Sequence, residues 1–328
     1  MAISTGLQSY VMTGLETAYG TAVARDLGIL HTRESLRATD EVLESSSLYR
    51  VGRHSGQVAQ GRVSVGGDVE WQPRYNNRTL ARLFQQALGA RSTVRPDITS
   101  NPLVYQHTIT PADDLPTGLS IEVVRKAGVS APSTFLFTGM KTTSLRFSFT
   151  QNEMATLVAG FMGQQQAKVA SPTALALLGG EGHVIKADNV SVTYNGVAQG
   201  RVMSGEFAVE NPLDPQYDVS SRLTKEPQRS GHRRVTANFR FQVEDAVLYD
   251  YWRNENAYEL VITFTGKAIS GAYSYELKFT TTIARLSEAV GNADGSGVLE
   301  ATASVDALLD DVTANELSVR ITNSQPDA

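Results

Sequence analysis

The chain has 328 residues, 41% hydrophobic and 19% charged, with a formal charge of −5 and no cysteine. That length buries about three quarters of the unfolded surface without staples, and the missing thiols exclude disulfide frameworks, thiolate nucleophiles and cysteine-based zinc sites. The acidic balance argues against tight binding to a phosphate backbone, whose affinity comes from Lys and Arg displacing counterions.

The N-terminal "MAISTGLQSYVMTGLE" carries neither a basic region nor an apolar one, so no signal peptide is read and synthesis in the cytoplasm is expected. Residues 1–32 are expected to form an N-terminal arm. A strand follows near "RESLRAT" (Arg33 to Thr39), then a polar stretch "SSLYRVGRHSG" from Ser46, then a strand "RVSVGGDVEW" from Arg62. In "NNRTLARLFQQALG" (Asn76 to Gly89), Leu80, Leu83, Phe84, Ala87 and Leu88 share one helical face, with Asn77 as N-cap and Gly89 as the stop. "LSIEVVR" from Leu119 and "SLRFSFT" (Ser144 to Thr150) are strands. In the second of these, Leu145, Phe147 and Phe149 alternate with Arg146, Ser148 and Thr150. The most apolar run, "MATLVAGFMG" from Met154, is broken by Gly160 and Gly163 and falls short of the roughly 20 residues a membrane-spanning helix needs. "SPTALALLGG" from Ser171 is either a short helix with Pro172 at its first position or a connector.

Further strands are expected at "NVSVTYNG" from Asn189, "GEFAVEN" from Gly205, "VTANFRFQV" from Val235, "ELVITFTG" from Glu259 and "YELKFTTTI" from Tyr275. In "VLEATASVD" (Val298 to Asp306), Leu299, Ala301, Ala303 and Val305 point one way. A second polar stretch, "SSRLTKEPQRSG", starts at Ser220, and a second helix is expected in "VEDAVLYDYWRNEN", capped by Asp245 with Val247, Leu248, Tyr251 and Trp252 as its apolar stripe. The two Ser-Ser to Ser-Gly stretches sit in similar order within each half: a strand, the polar stretch, a strand ending "VEWQ" or "FRFQ", the helix, "SIEVV" or "ELKFT", and a last strand "SLRFSF" or "VLEATASV". An internal duplication accounts for this order, with residues 33–165 and 187–328 as two modules joined by a linker at 166–186.

Catalytic signals are absent. His31, His54, His107, His183 and His232 are never within four residues of one another, so helical or finger-type metal spacing does not exist, and each reads as a surface or loop histidine. There is no G-x-S-x-G elbow and no Gly-rich phosphate loop. "NADGSGVLE" from Asn292 fails the calcium-loop count, because its first and twelfth positions fall on Val290 and Ala301, and it reads as a hairpin turn. No cofactor, no metal and no enzymatic activity are expected. Arg50, Arg53, Lys225, Arg229, Arg233 and Arg234 lie in or beside the repeated polar stretches. No aromatic platform for single strands accompanies them, so contact with acidic groups on a neighbouring subunit is the preferred reading.

At this point the sequence resembles the tail tube proteins of long-tailed bacteriophages. The resemblance is carried by "ETAYGTA" (Glu16 to Ala22), "ESLRATDEVLESSSLYR" (Glu34 to Arg50), "GQVAQGRVSVGGDVEWQPRYNNRTLARLFQQALG" (Gly56 to Gly89) and "ADNVSVTYNGVAQGRVMSGEFAVENPLDPQYDVSSR" (Ala187 to Arg222). It implies a mainly β fold of two tandem β-sandwich tail-tube modules, each with a flanking helix, and a virion protein that stacks in rings around a tape-measure protein and later conducts genomic DNA. It also implies tail terminator and tail-tip proteins as partners, and no membrane. Single-module relatives are expected to close rings of six, so a doubled chain should form trimers, with hexamers as the alternative. A bore that lets a polyanion slide should be acidic or neutral; the candidates are Asp68, Glu70, Glu206, Glu210, Glu300 and Asp306, with the basic residues facing other subunits. A tail terminator or completion ring, a carbohydrate-binding β-sandwich, and an enzyme with a spatially assembled site stay open as rival readings.

Overall fold

The computed structural model describes residues 9–44, 58–125, 133–176, 183–199, 201–243, 247–291, 299–312 and 315–326. Arg50, Arg53, His54, the Asp245 cap and the turn at 292–298 lie outside the described residues.

The chain is mainly β. The first half contains β1 (Tyr10–Leu15), β2 (Leu27–Ile29), β3 (His31–Glu34), β4 (Arg37–Glu44), β5 (Val58–Trp71), α1 (Arg78–Leu88), β6 (Gly89–Val94), β7 (Tyr105–Pro111), β8 (Leu119–Arg125), β9 (Ser133–Thr150), β10 (Thr156–Gly163) and β11 (Gln165–Val169). The second contains β12 (Val190–Tyr194), β13 (Val197–Ala198), β14 (Val202–Glu210), β15 (Leu213–Gln216), β16 (Lys225–Arg229), β17 (Arg234–Gln242), α2 (Val247–Arg253), β18 (Ala257–Ser270), β19 (Tyr273–Gly291), β20 (Glu300–Leu308) and β21 (Ser318–Asn323).

One antiparallel run crosses the whole molecule in the order β4, β5, β10, β9, β14, β17, β20, β19, with β3 extending the β4 side along β5. Leu145, Phe147, Phe149, Phe207, Val209, Val235, Ala237, Ala303 and Val305 are buried along it, as period-two alternation requires of a sheet with one face covered. The long strands β9 and β19 also serve a second layer. The first half of β9 pairs with β8 and β11, and the first half of β19 pairs with β18 and β21. Phe147 and Phe207 from the long sheet meet Phe279 at 5.5 and 4.6 Å between ring centroids, and Phe84 of α1 meets it at 5.6 Å, so the layers join in an aromatic core.

Helix α1 starts where expected: the Asn77 side chain accepts from the Thr79 amide at 2.9 Å, and Gly89 closes it at φ 121°. An added Cβ at Gly89 would lie 2.5 Å from the Ala112 Cβ. Ser171 to Ala176 is a connector, not a helix. It is strapped down by Tyr10 Oη donating to the Thr173 carbonyl at 2.7 Å and by the Gly28 amide donating to the Ala176 carbonyl at 2.7 Å. The expected N-terminal arm is core structure from Tyr10 onward, because Val11 and Met12 have no exposure and β1 pairs with both β2 and β8.

Register irregularities recur. Between β3 and β5 the ladder shifts at His31/Arg33 opposite Trp71 and Glu70, and between β14 and β17 at Val202/Ser204 opposite Phe241 and Arg240. The β8–β9 ladder shifts at Leu119/Ile121 and the β18–β19 ladder at Tyr258/Leu260. The β9–β10 ladder skips Thr143 opposite Gly160/Phe161, and the β19–β20 ladder skips Ser287 opposite Ser304/Val305. Strand β5, which runs into "VEWQ", lies between β4 and β10, and β17, which runs into "FRFQ", lies between β14 and β20.

Candidate functional site

The outer face of the long sheet is built by alternation. Residues directly opposite one another across a ladder share a face, so Glu206 lies level with Ser148 on one side and Asn238 on the other. The same counting puts all six acidic candidates, Asp68, Glu70, Glu206, Glu210, Glu300 and Asp306, on this one polar face. The six carboxylates therefore share a single surface.

The charge pattern differs from the expectation. Arg146 pairs with Glu210 at 3.3 Å, Arg234 with Asp306 at 3.6 Å, and Arg240 with Glu300. Arg33 and Arg285 occupy the same face, opposite Glu70 and Asp306. The surface is mixed in charge, because cross-strand neighbours about 5 Å apart favour opposite charges. Alternation marked which positions face outward; only register shows which cation meets which anion.

The basic candidates separate. Arg234 belongs to the polar face and is engaged within the chain. Arg233 turns inward, with 6% side-chain exposure: it donates to Asn211 Oδ1 at 3.0 Å, Glu316 Oε1 at 2.9 Å and the carbonyls of Leu88 and Ala112 at 3.0 and 3.3 Å. Its fork is thus spent on tying the ends of α1 and β14 together. Lys225 and Arg229 bound β16, whose hairpin with β15 replaces the expected open loop. Lys225 pairs with Asp218 at 3.1 Å, and hydrogen bonds from Ser220 and then Lys225 hold the Asp218 carboxyl down to about 2. Arg229 donates to the Ala112 carbonyl at 3.0 Å.

That hairpin lies back over the first half of the chain. Glu226 pairs with the buried Lys141 at 2.5 Å, Tyr217 Oη donates to the Val63 carbonyl at 3.2 Å, and Arg222 reaches the Gly61 carbonyl at 2.6 Å and Asp40 at 2.9 Å. The two helices differ in the same sense. Nine residues of α1 are buried, and Asn211 Nδ2 bonds the Ala87 carbonyl at 2.9 Å; in α2 only Leu248 is buried, with Tyr249 49% exposed.

Among the described residues the histidines make no chemical centre. His107 is buried, contrary to the surface expectation, and is held between Thr93 Oγ1 at 2.9 Å and Asn323 Oδ1 at 3.2 Å where β7 meets β21. Among the described residues no cluster of three or more His, Asp or Glu is placed to hold a metal, and no helix is long and apolar enough to cross a membrane.

Among the described residues the long sheet thus has one buried face, one polar face and two end strands each paired on one side. The profile of the family described as phage tail tube protein matches residues 6–307, and the chain belongs to that family. No curated protein matches it. Membership makes it a structural tail tube component of a virion that assembles with itself.

Proposed function

We propose that the chain is built of two tandem modules and that three copies close side to side into a ring, with rings stacking into the tube that conducts DNA. The observation that carries this is the unbroken sheet from β4 to β19, polar on one face and buried on the other, whose two ends each pair on one side among the described residues. An open sheet with exposed edges is an aggregation hazard, and closing neighbouring sheets into one barrel removes the edges. The recurring register shifts support two equivalent halves, so three chains would present six similar units around the axis.

In this reading the polar face lines the bore. Three of its arginines, Arg146, Arg240 and Arg234, are already engaged by Glu210, Glu300 and Asp306, which lowers what a phosphate backbone gains by displacing counterions there. Tape-measure protein and DNA then pass without specific binding, and terminator and tip proteins cap the two ends. Catalysis is not part of the role.

Negative-stain images of the concentrated protein test it. Striated tubes with threefold symmetry end-on are expected; sixfold end-on symmetry with six whole chains would remove the doubled-module reading, and a monodisperse monomer at high concentration would remove the tube.

A further inference from the structure

The chain already contains one copy of the contact that a ring would need. At the internal seam, β14 pairs with β9 from Ser204 opposite Thr150 to Glu210 opposite Ser144. The ladder continues as the Asn211 amide donates to the Thr143 carbonyl at 2.7 Å, and at its other end the Gln151 amide donates to the Met203 carbonyl at 2.8 Å. Odd-numbered residues of β14 thus direct their main-chain groups at β9.

The shared register shifts say which residues hold these places at the free ends. Val209 lies opposite Val235, and Ala38 opposite Val65, so Leu36 and Ala38 stand where Phe207 and Val209 do. Ser287 stands where Thr143 does, as the residue skipped at the matching bulge. At the free ends these groups are met by side chains. The Leu36 carbonyl accepts from Arg125 Nη2 at 2.8 Å, and Arg125 is itself clamped by Glu34 at 2.6 and 2.7 Å. The Ala38 amide donates to Gln166 Oε1 at 2.7 Å. The Ser287 carbonyl accepts from Trp252 Nε1 at 3.0 Å. Where the internal seam uses main-chain partners, both free edges carry side-chain caps at the matching groups.

We propose that β4 of one copy pairs with the second half of β19 in the next, in the register of the internal seam, and that Arg125, Gln166 and Trp252 are edge caps released on pairing. This rests on the ring reading above and names its contact. Transposing Phe207–Phe147, Ala208–Arg146, Val209–Leu145 and Glu210–Ser144 sets Leu36 opposite Gly291, Arg37 opposite Val290, Ala38 opposite Ala289 and Thr39 opposite Glu288. Strand direction agrees, because every neighbour in the run is antiparallel and its two ends therefore run in opposite senses. Charge agrees too: Glu288 becomes the diagonal neighbour of Arg37, within reach across an antiparallel pair. The unequal burial of the helices fits as well. α1 is covered at its C-terminal end by the segment after β14, whereas α2, beside the free edge of β19, leaves Tyr249 exposed, and β4 at the other free edge leaves Val42 and Leu43 exposed for the same contact. Capping an edge with polar side chains restrains uncontrolled pairing while leaving it reversible.

The absence of cysteine makes the test clean. Thr39 and Glu288 are exposed, and by the transposed register they form a non-hydrogen-bonded pair, whose side chains approach closely enough for a disulfide. The full-length T39C/E288C variant, assembled and then oxidised, should give a covalent ladder ending at three chain lengths on a non-reducing gel, with neither single variant doing so. Tubes that form without this cross-link would overturn the seam and leave the tube reading standing; wild-type protein that never assembles would remove both. The caps are tested separately by W252F and Q166L, which delete one edge partner each and should speed assembly about fivefold by light scattering, the factor for losing about one hydrogen bond. Rates equal to wild type would overturn the capping role.

Discussion

At the scale of single residues, buried cations organise the chain more than the exposed ones do. Arg82 on α1, with a side chain only 5% exposed, bonds both carboxylate oxygens of Asp26, at 2.6 and 2.9 Å, and so fixes the loop between β1 and β2. The hydrogen bonds from Arg82 hold the Asp26 carboxyl below its ordinary range. A depressed folded pKa gives stability that is present above the unfolded value of about 3.9 and is lost as pH falls through the folded one. Asp26→Asn should therefore cost about 1 kcal/mol at pH 7, below the usual range for a charged hydrogen bond because half of the carboxylate faces water. Urea melts at pH 7 and pH 3 should show the gap between variant and wild type narrowing in acid; a constant gap would mean the carboxylate is not the stabilising group. Arg233 and Arg25 follow the same logic. Arg233 is expected from sequence to face a neighbouring subunit, yet both are drawn inward by acceptors far along the chain, such as Glu316 for Arg233 and Glu122 for Arg25.

Among the elements, those with local causes were legible. The Asn77 cap, the Leu80, Leu83, Phe84, Ala87 and Leu88 face and the Gly89 stop all lie within one stretch, and α1 forms accordingly. Asn77→Ala should cost about 1 kcal/mol, read as a shift in the thermal midpoint; no shift would mean that packing alone fixes where the helix begins. The alternation of Leu145, Phe147 and Phe149 likewise revealed β9, although Leu299 proved to be 38% exposed, at the end of its run where the ladder has not yet begun. What remained hidden depends on distant partners. The hairpin of β15 and β16 reads as a loop because Pro215 and Pro227 interrupt it, and it forms because Lys141, Val63 and Gly61 receive it. The acidic positions of the candidate surface could be read from alternation, but their arginine partners could not, since a cross-strand neighbour such as Arg234 for Asp306 is set by register between segments about 70 residues apart.

For the whole molecule, the proposed bore role of the polar face predicts how its charge pairs act on a polyanion. Replacing Glu210, Glu300 and Asp306 with their amides leaves Arg146, Arg240 and Arg234 without their carboxylates. The triple variant should retain duplex DNA on a filter at low salt and release it as salt rises, with a slope set by about three phosphate contacts. Retention no greater than wild type would show that the pairs do not govern the face.

The length of β9 and β19 has a mechanical consequence. Each is a single continuous backbone that pairs with one layer near its start and with the other near its end, with the bulge at Thr143 or Ser287 early in the second ladder. A load that bends one layer reaches the other through covalent bonds rather than through side-chain contacts that can slide. The two layers are therefore joined by continuous backbone as well as by the aromatic contacts between them.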